Sequence, residues 1–423
     1  MVSRVDEVIK NVLTRVKPSA EELEEIEKEL AKFERSLKKE IKKQKLEVEV
    51  FVGGSFAKKT LVKKDKYDID VFLRFDESYP DKDLSKLAEK LLKDFEGLTV
   101  MKGSRNYFQI KVGKELFFEI VPVKSVSNPE SSENITDLSY SHVSYVNKKS
   151  KGLVDQIVAA KAFCHAKNCY GAESYIKGFS GYALELLLIH YGSFEKFIKE
   201  MVKVKEKLVI DIEKQHKNKA DILIDLNESK LQSPIILIDP TYKYRNALAA
   251  LSDKTFEKFQ AACKKFLEHP REEEFEQEKT NIQKIRESSI KKGEDFLVVE
   301  AKTDKPAGDI AGSKLLKFSN YFFEEISKLF IIKQKGFEYN GEQAGQFFVS
   351  AKKKTELIYE GPKMTDKKNV ALFKKKHKRL SMRDGRIYAR EEISGNLAVF
   401  FKNWARENKK IVKEMYIVSL RIV

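Results

Sequence analysis

The chain has 423 residues, 42% of them hydrophobic and 35% charged, and a net charge of +16. That length implies two to four domains, and the apolar share is enough to build real cores. No apolar run reaches the roughly 18 residues needed to span a bilayer, and the start, Met1-Val-Ser-Arg-Val-Asp6, lacks a signal peptide's apolar stretch.

The charge is uneven. Residues 301–423 hold 27 Lys+Arg against 14 Asp+Glu, a balance of +13, which leaves only +3 for residues 1–300. A third of the chain this basic predicts a polyanionic partner. Nucleic acid fits better than a membrane, which would call for a basic amphipathic helix with exposed apolar residues. Cys164, Cys169 and Cys263 have no metal-ligand spacing, so a reducing, cytoplasmic setting is expected.

In chain order, Ser19 and Glu22 form a capping box that opens a charged helix running to about Lys43. Strands are expected at about 47–52 and 67–75, with Gly53-Gly-Ser-Phe56 and a short helix, Ala57 to Leu61, between them. A helix at 83–96 and strands near 98–102, 106–112 and 116–123 complete an α/β head, residues 1–133. The stretch 124–134, rich in Ser, Asn and Pro, marks its boundary.

Residues 134–268 read as a helical central domain. Apolar residues recur at helical spacing in 153–163 and 181–189, a strand-like Ile235-Ile-Leu-Ile-Asp-Pro240 interrupts, and a helix covers about 254–268. The basic C-terminal region, 269–423, begins with the charged stretch 270–292. It continues as strand (296–301), helix (313–332), strands (about 336–340, 345–350 and 354–360), helix (366–376), strand (386–391) and a last helix from Ser394. That is a split βαβ, or ferredoxin-like, order with one strand extra. The chain is an α+β multidomain protein on this reading.

The chemistry is concentrated in the head. Asp68 and Asp70, at i and i+2 on a strand, project from one face while Ile69 and Val71 take the other. Two like charges on an apolar strand are costly unless a divalent metal compensates them. Glu119, within Leu116-Phe-Phe-Glu-Ile-Val-Pro122, puts a third carboxylate on a second strand of the same sheet. Three carboxylates on adjacent strands can hold two Mg²⁺ ions that act on a hydroxyl and an α-phosphate. Gly54 and Ser55, just upstream, offer backbone N–H groups and a hydroxyl to a phosphate. A phosphate cradle followed by metal carboxylates is the layout of a nucleotidyl-transfer site.

Gly54-Ser-Phe-Ala-Lys58, Asp68-Ile-Asp70, Tyr170-Gly-Ala-Glu173, Gly178-Phe-Ser-Gly-Tyr182, Tyr191-Gly-Ser-Phe194 and Asp239-Pro…Arg245-Asn246 together resemble the archaeal-type (class I) CCA-adding tRNA nucleotidyltransferases. The resemblance covers roughly residues 45 to 270. It implies a polymerase-β-like nucleotidyltransferase head, CTP and ATP as substrates with Mg²⁺, and template-independent addition of C, C and A to a tRNA 3′ end. It further implies that Asp68, Asp70 and Glu119 hold the metals and that Ser55, Lys58, Lys161 and Tyr170 touch the triphosphate. His142 and Arg245 are implied near the base. Tyr170 and Tyr182 also suit core positions, Lys161 a solvated helix position, and His142 a loop.

Lys374, Lys375, Lys376, Lys378 and Arg379 are the candidate contacts to the acceptor and TΨC arms of tRNA. The resemblance leaves room for a homodimer. The family usually has Asp at Glu119 and often Arg at Lys58, so this chain carries one methylene more and a point charge in place of a fork. A related terminal adenylyltransferase and a tRNA-binding homologue with reduced catalysis are the alternatives.

Overall fold

Ser3 and Ser19 cap the first two helices of the chain in a computed structural model that describes residues 3–103, 105–113, 115–132, 134–277, 280–393 and 395–423. The chain divides near residue 278 into two units. Helix α1 (Arg4–Val16) is followed by α2 (Ala20–Gln44), whose expected capping box between Ser19 and Glu22 is present. Ile26, Leu30, Phe33, Leu37 and Ile41 recur every three or four residues on α2, so one stripe of it is buried.

That stripe lies on a five-stranded sheet. Its strands are β1 (Val48–Val52), β2 (Tyr67–Phe75), β3 (Leu98–Met101), β4 (Tyr107–Val112) and β5 (Leu116–Lys124), ordered β1-β2-β5-β4-β3. Only the central pair, β2 and β5, is parallel. Helix α3 (Gly54–Ala57) follows β1, and α4 (Leu84–Leu92) follows β2 and packs on the same face as α2. The helix expected at Ala57 to Leu61 is therefore displaced: a single turn begins at Gly54 and ends at Ala57. Lys59 at φ 57° cannot continue it, and Thr60 N–H turns back to the Ser55 carbonyl at 2.9 Å.

Next come α5 (Ser139–Lys149), α6 (Val154–Ala166), α7 (Gly181–Tyr191), α8 (Phe194–Lys203), β6 (Leu208–Asp211), α9 (Lys219–Asp225), β7 (Ile235–Asp239), β8 (Tyr242–Asn246) and α10 (Asp253–Glu268). Helices α6, α7, α8 and α10 share one apolar core, and Val5, Val8, Ile9 and Val12 of α1 belong to it rather than to the head. The one strand expected at 235–240 is the centre of a three-stranded sheet, β6-β7-β8. Strand β7 is buried along its whole length, which is why it alone is conspicuous in the sequence.

The second unit holds α11 (Ile282–Lys291), β9 (Asp295–Thr303), α12 (Asp309–Leu329), β10 (Phe330–Tyr339), β11 (Ala344–Lys353), β12 (Leu357–Lys363), α13 (Lys367–Lys376), β13 (Arg379–Arg383), β14 (Arg386–Glu391), α14 (Leu397–Glu407), α15 (Lys409–Glu414) and β15 (Ile417–Ile422). An antiparallel sheet has the order β10-β11-β9-β15, and β12-β14-β13 form a separate one. A split βαβ order would have the segment 386–391 close the main sheet, but β15 does so. Tyr416, at φ 63°, ends the helical region and releases Ile417-Val-Ser-Leu-Arg-Ile422 as a strand. Glu133, Lys279 and Ser394, which bear on the expected boundaries and on the start of the last helix, lie outside the described residues. Among the described residues no helix is long and apolar enough to cross a membrane.

Candidate active site

Strand alternation and register put the three acids on one face. Asp70 and Glu119 are direct partners across the parallel β2–β5 pair, and Asp68 lies two residues back on β2. The opposite face, with Ile69, Val71 and Phe118, is buried under α2 and α4. Gly53 ties the turn to the site by donating its N–H to the Asp70 carbonyl at 2.9 Å. Gly54 has φ +61°, and a Cβ built on it would lie 1.7 Å from Asp70 Oδ2. Only glycine lets the turn pass this close to the carboxylate.

Three carboxylates crowded in this way hold their protons more tightly than usual. Burial raises Asp68 and Asp70, with the Lys58 charge opposing the rise at Asp70. Burial, then Asp70 and Asp68, push Glu119 up to about 7. Such a face carries an excess of negative charge and is suited to a divalent cation. Among the described residues, however, no three acidic, imidazole or thiol groups converge tightly enough to cage a metal by themselves.

Beside the acids lies a buried group of opposite sign. Lys58, the residue after α3, donates from Nζ to Glu185 Oε2 at 2.6 Å. Lys161 on α6 donates to Glu185 Oε1 at 2.7 Å, to Thr60 Oγ1 at 2.8 Å and to the Thr60 carbonyl at 3.4 Å. Lys161 is not a solvated helix residue, and its three donors are all engaged within the protein. Tyr170 stacks on His165 with ring centroids 3.8 Å apart, and its hydroxyl stands over Gly181, where an added Cβ would be 2.7 Å away.

The third cluster centres on Asp239, fully buried at the end of β7. Its carboxylate lies 3.0 Å from His142 Nε2 and accepts Tyr182 Oη at 2.9 Å, Thr241 N–H at 2.9 Å, Thr241 Oγ1 at 2.8 Å and Arg245 Nη1 at 2.6 Å. Burial pushes the Asp239 carboxyl up, but His142 and Arg245 outweigh it and hold it well below the usual carboxylate range. Burial lowers His142 despite that partner. The imidazole of His142 lies against the Tyr182 ring, centroids 4.1 Å apart, and the Arg245 guanidinium stands 5.6 Å over the same ring. Arg245 keeps 24% of its side chain exposed, so the ion pair steers the guanidinium without enclosing it.

The first unit thus contains all ten head and central candidates: Gly54, Ser55, Lys58, Asp68, Asp70, Glu119, His142, Lys161, Tyr170 and Arg245. Lys374, Lys375, Lys376, Lys378 and Arg379 belong to the second unit and are exposed at the end of α13 and the start of β13. Sequence reasoning missed Glu185, Thr60 and the central role of Asp239. A signal existed for two of them. Glu185 is the one charge within Ala183-Leu-Glu-Leu-Leu-Leu-Ile189, and Asp239 ends the apolar run Ile235–Ile238.

Comparison with known proteins follows the same outline. Residues 155–276 match the family described as tRNA nucleotidyltransferase, second domain, and residues 4–156 match the Second Messenger Oligonucleotide or Dinucleotide Synthetase domain. The chain is 43% identical over 209 residues to a CCA-adding enzyme of Nanoarchaeum equitans, a match covering 49% of this chain and 52%, about half, of that protein. It is 28% identical over 410 residues to a CCA-adding enzyme of Methanocaldococcus jannaschii, covering 93% of this chain and 88% of the other. Another CCA-adding enzyme, from Pyrococcus abyssi, is 32% identical and matches over 63% of this chain and 60% of its own length. A solved structure of Cid1, studied for its RNA terminal uridylyl transferase activity, superposes with TM-score 0.51 at 13% identity, over 65% of this chain and 99% of that one. The fold is that of the polymerase-β-like nucleotidyltransferases, mixed α and β with helical parts.

Proposed function

We propose that this chain is an archaeal-type CCA-adding enzyme, which adds C, C and A to the 3′ end of tRNA from CTP and ATP without a nucleic-acid template. The observation that carries the proposal is the one-face alignment of Asp68, Asp70 and Glu119 against the Gly54 turn, in the same unit as the Lys58 and Asp239 clusters.

Asp68, Asp70 and Glu119 would hold Mg²⁺, which when bound supplies charge stabilisation at the α-phosphate and a more acidic hydroxyl. Gly54 leaves room for the carboxylate beside the phosphate chain. Lys58 supplies an ammonium whose charge acts on the same carboxylate, and a triphosphate needs such positive charge. Glu119, the third carboxylate of the face, serves on this reading as a metal ligand or as the general base for the attacking hydroxyl.

Base choice falls to Arg245. Cytosine N3 and adenine N1 accept hydrogen bonds, whereas uracil N3 and guanine N1 carry hydrogens; arginine has donors only. The second unit, on this reading a split βαβ core with β12, α13, β13 and β14 inserted, supplies the basic surface for the acceptor and TΨC arms. A tRNA substrate agrees with the cytoplasmic setting expected from the cysteines.

The test is incubation of tRNA lacking its CCA end with Mg²⁺ and each labelled nucleotide in turn. C and A should enter, and U and G should not. Asp70→Asn or chelation of Mg²⁺ should abolish incorporation with the fold intact, and Arg245→Ala should raise the UTP-to-CTP ratio. The domain match over residues 4–156 supports a second reading, oligonucleotide synthesis without an RNA acceptor. Product from ATP alone, with no tRNA present, would establish that reading in place of the first.

A further inference from the structure

The buried charges around Glu185 do not balance. Its carboxylate, wholly inaccessible on α7, faces two ammonium groups, with Lys58 on Oε2 at 2.6 Å and Lys161 on Oε1 at 2.7 Å. Thr60 Oγ1 donates to Oε1 at 2.9 Å, which completes the side-chain ring of four residues. Two of the four come from the segment after β1 and two from helices α6 and α7. Within this ring the ammonium groups outnumber the carboxylate by one, and the Lys58 charge is also felt by buried Asp70 outside it. Burying an ion cluster is a poor way to gain stability, because desolvation offsets most of the attraction and an uncompensated charge adds to the loss. Such a ring is explained if it serves to hold an ammonium in place for an incoming anion.

The two lysines are not equivalent. Lys161 keeps 2% of its side chain exposed and spends its donors on Thr60 and Glu185, whereas Lys58 keeps 9% and its charge acts on Asp70. Lys58 Nζ also lies 5.8 Å from the Tyr182 ring, on the side of the Asp239 cluster. We infer that Glu185 is a positioning residue: Lys161 and Thr60 fix its carboxylate, and the carboxylate fixes the Lys58 ammonium, whose charge is directed at the incoming triphosphate. The inference rests on the nucleotidyl-transfer reading of the site. It moves Lys161 from touching the phosphates to supporting the group that does.

Two variants of the full chain test it: Glu185→Gln and the double variant Glu185→Gln/Lys161→Met. The double variant carries the same surplus of one charge as the wild type. Affinities for CTP and CMP are measured by calorimetry with Mg²⁺ and without RNA, folding is followed by the melting temperature, and KM and kcat are measured for CTP and ATP.

In the double variant the melting temperature should return towards wild type while CTP binds about tenfold more weakly, the order of one lost charge-assisted hydrogen bond. CMP affinity should hardly move, and KM for CTP and ATP should rise together with a smaller change in kcat. Recovery of both melting temperature and CTP affinity would overturn the inference, as would an equal loss for CTP and CMP. Failure of both variants to fold would also overturn it, by showing Glu185 to be structural. Wild-type incorporation into tRNA is scored alongside. If it is absent while CTP binding is intact, the tRNA reading fails and the role of Glu185 stands.

Discussion

At Gly54 two constraints meet on one atom. The backbone is left-handed there, and the space a Cβ would fill belongs to the Asp70 carboxylate, 1.7 Å away. In Gly54→Ala the backbone strain costs about 1–2 kcal/mol, which lowers the melting temperature by roughly 2–4 °C per kcal/mol. Displacing the carboxylate is the larger effect, because a shift of about 1 Å in a reacting constellation can remove a hundredfold in rate. Nucleotide incorporation should fall on that order in a folded protein. Near-wild-type turnover would show that Asp70 has slack.

Asp239 predicts a pH effect. Its folded-state proton affinity is held below that of the unfolded chain, about 3.9, so its contribution to stability is fully present above that pH and is lost as the pH falls below it. Asp239→Asn should lower stability at neutral pH and flatten the fall of urea midpoints between about pH 5 and pH 2. Parallel curves for the two proteins would remove Asp239 as a contributor to acid unfolding. Residues at this scale differ in legibility. Asp68, Asp70 and Glu119 stand out because strand alternation assigns a face to every position. Glu185 and Asp239 do not, because a charge within an apolar run shows only that a partner must exist, and the partners lie far away in sequence.

At the scale of elements, what the sequence hides is chiefly pairing. The strands of the head are evident within a residue or two, since each is a short apolar run between turns. In the second unit the same reasoning finds α13 and β14 but assigns them to the wrong sheet. Asp384 and Gly385, at φ 49° and 71°, form the tight turn of a β13–β14 hairpin, a dipeptide signal that reading by apolar runs passes over.

The hairpin also enlarges the basic surface. Register pairs Arg379 with Arg390 and Arg383 with Arg386, on the sheet face away from buried Ile387 and Ala389. Arginines on this face and lysines at the end of α13 are thus separate candidates for tRNA phosphates. Changing Lys374, Lys375, Lys376 and Lys378 to Gln should reduce the slope of log affinity against log salt by about 0.7–0.9 for each phosphate that is no longer neutralised. The same change at Arg379, Arg383, Arg386 and Arg390 gives the comparison. If only the arginine set changes the slope, the expected lysine patch is a solvated surface.

At the scale of the whole molecule, the two units have separate cores. The clusters built on the head sheet, on the helices and on β7 with α9 draw only on residues before 278, and the cluster around Phe318, Phe322 and Trp404 draws only on residues after it. A unit that completes its own apolar core and its own polar networks can fold alone. The fragment 1–278 should therefore fold cooperatively and bind CTP and ATP within about threefold of the full chain, because the carboxylate face, the Glu185 ring and the Asp239 cluster all lie inside it. Its affinity for tRNA should fall at least about tenfold and become less salt-dependent, since residues 301–423, with a balance of +13, are gone. Calorimetry with each nucleotide and filter binding of tRNA across a salt series measure the two halves of the prediction. A folded fragment that has lost CTP binding would mean that the nucleotide site needs the second unit. Unchanged tRNA affinity and salt slope would mean that the basic third of the chain is not where the RNA is held.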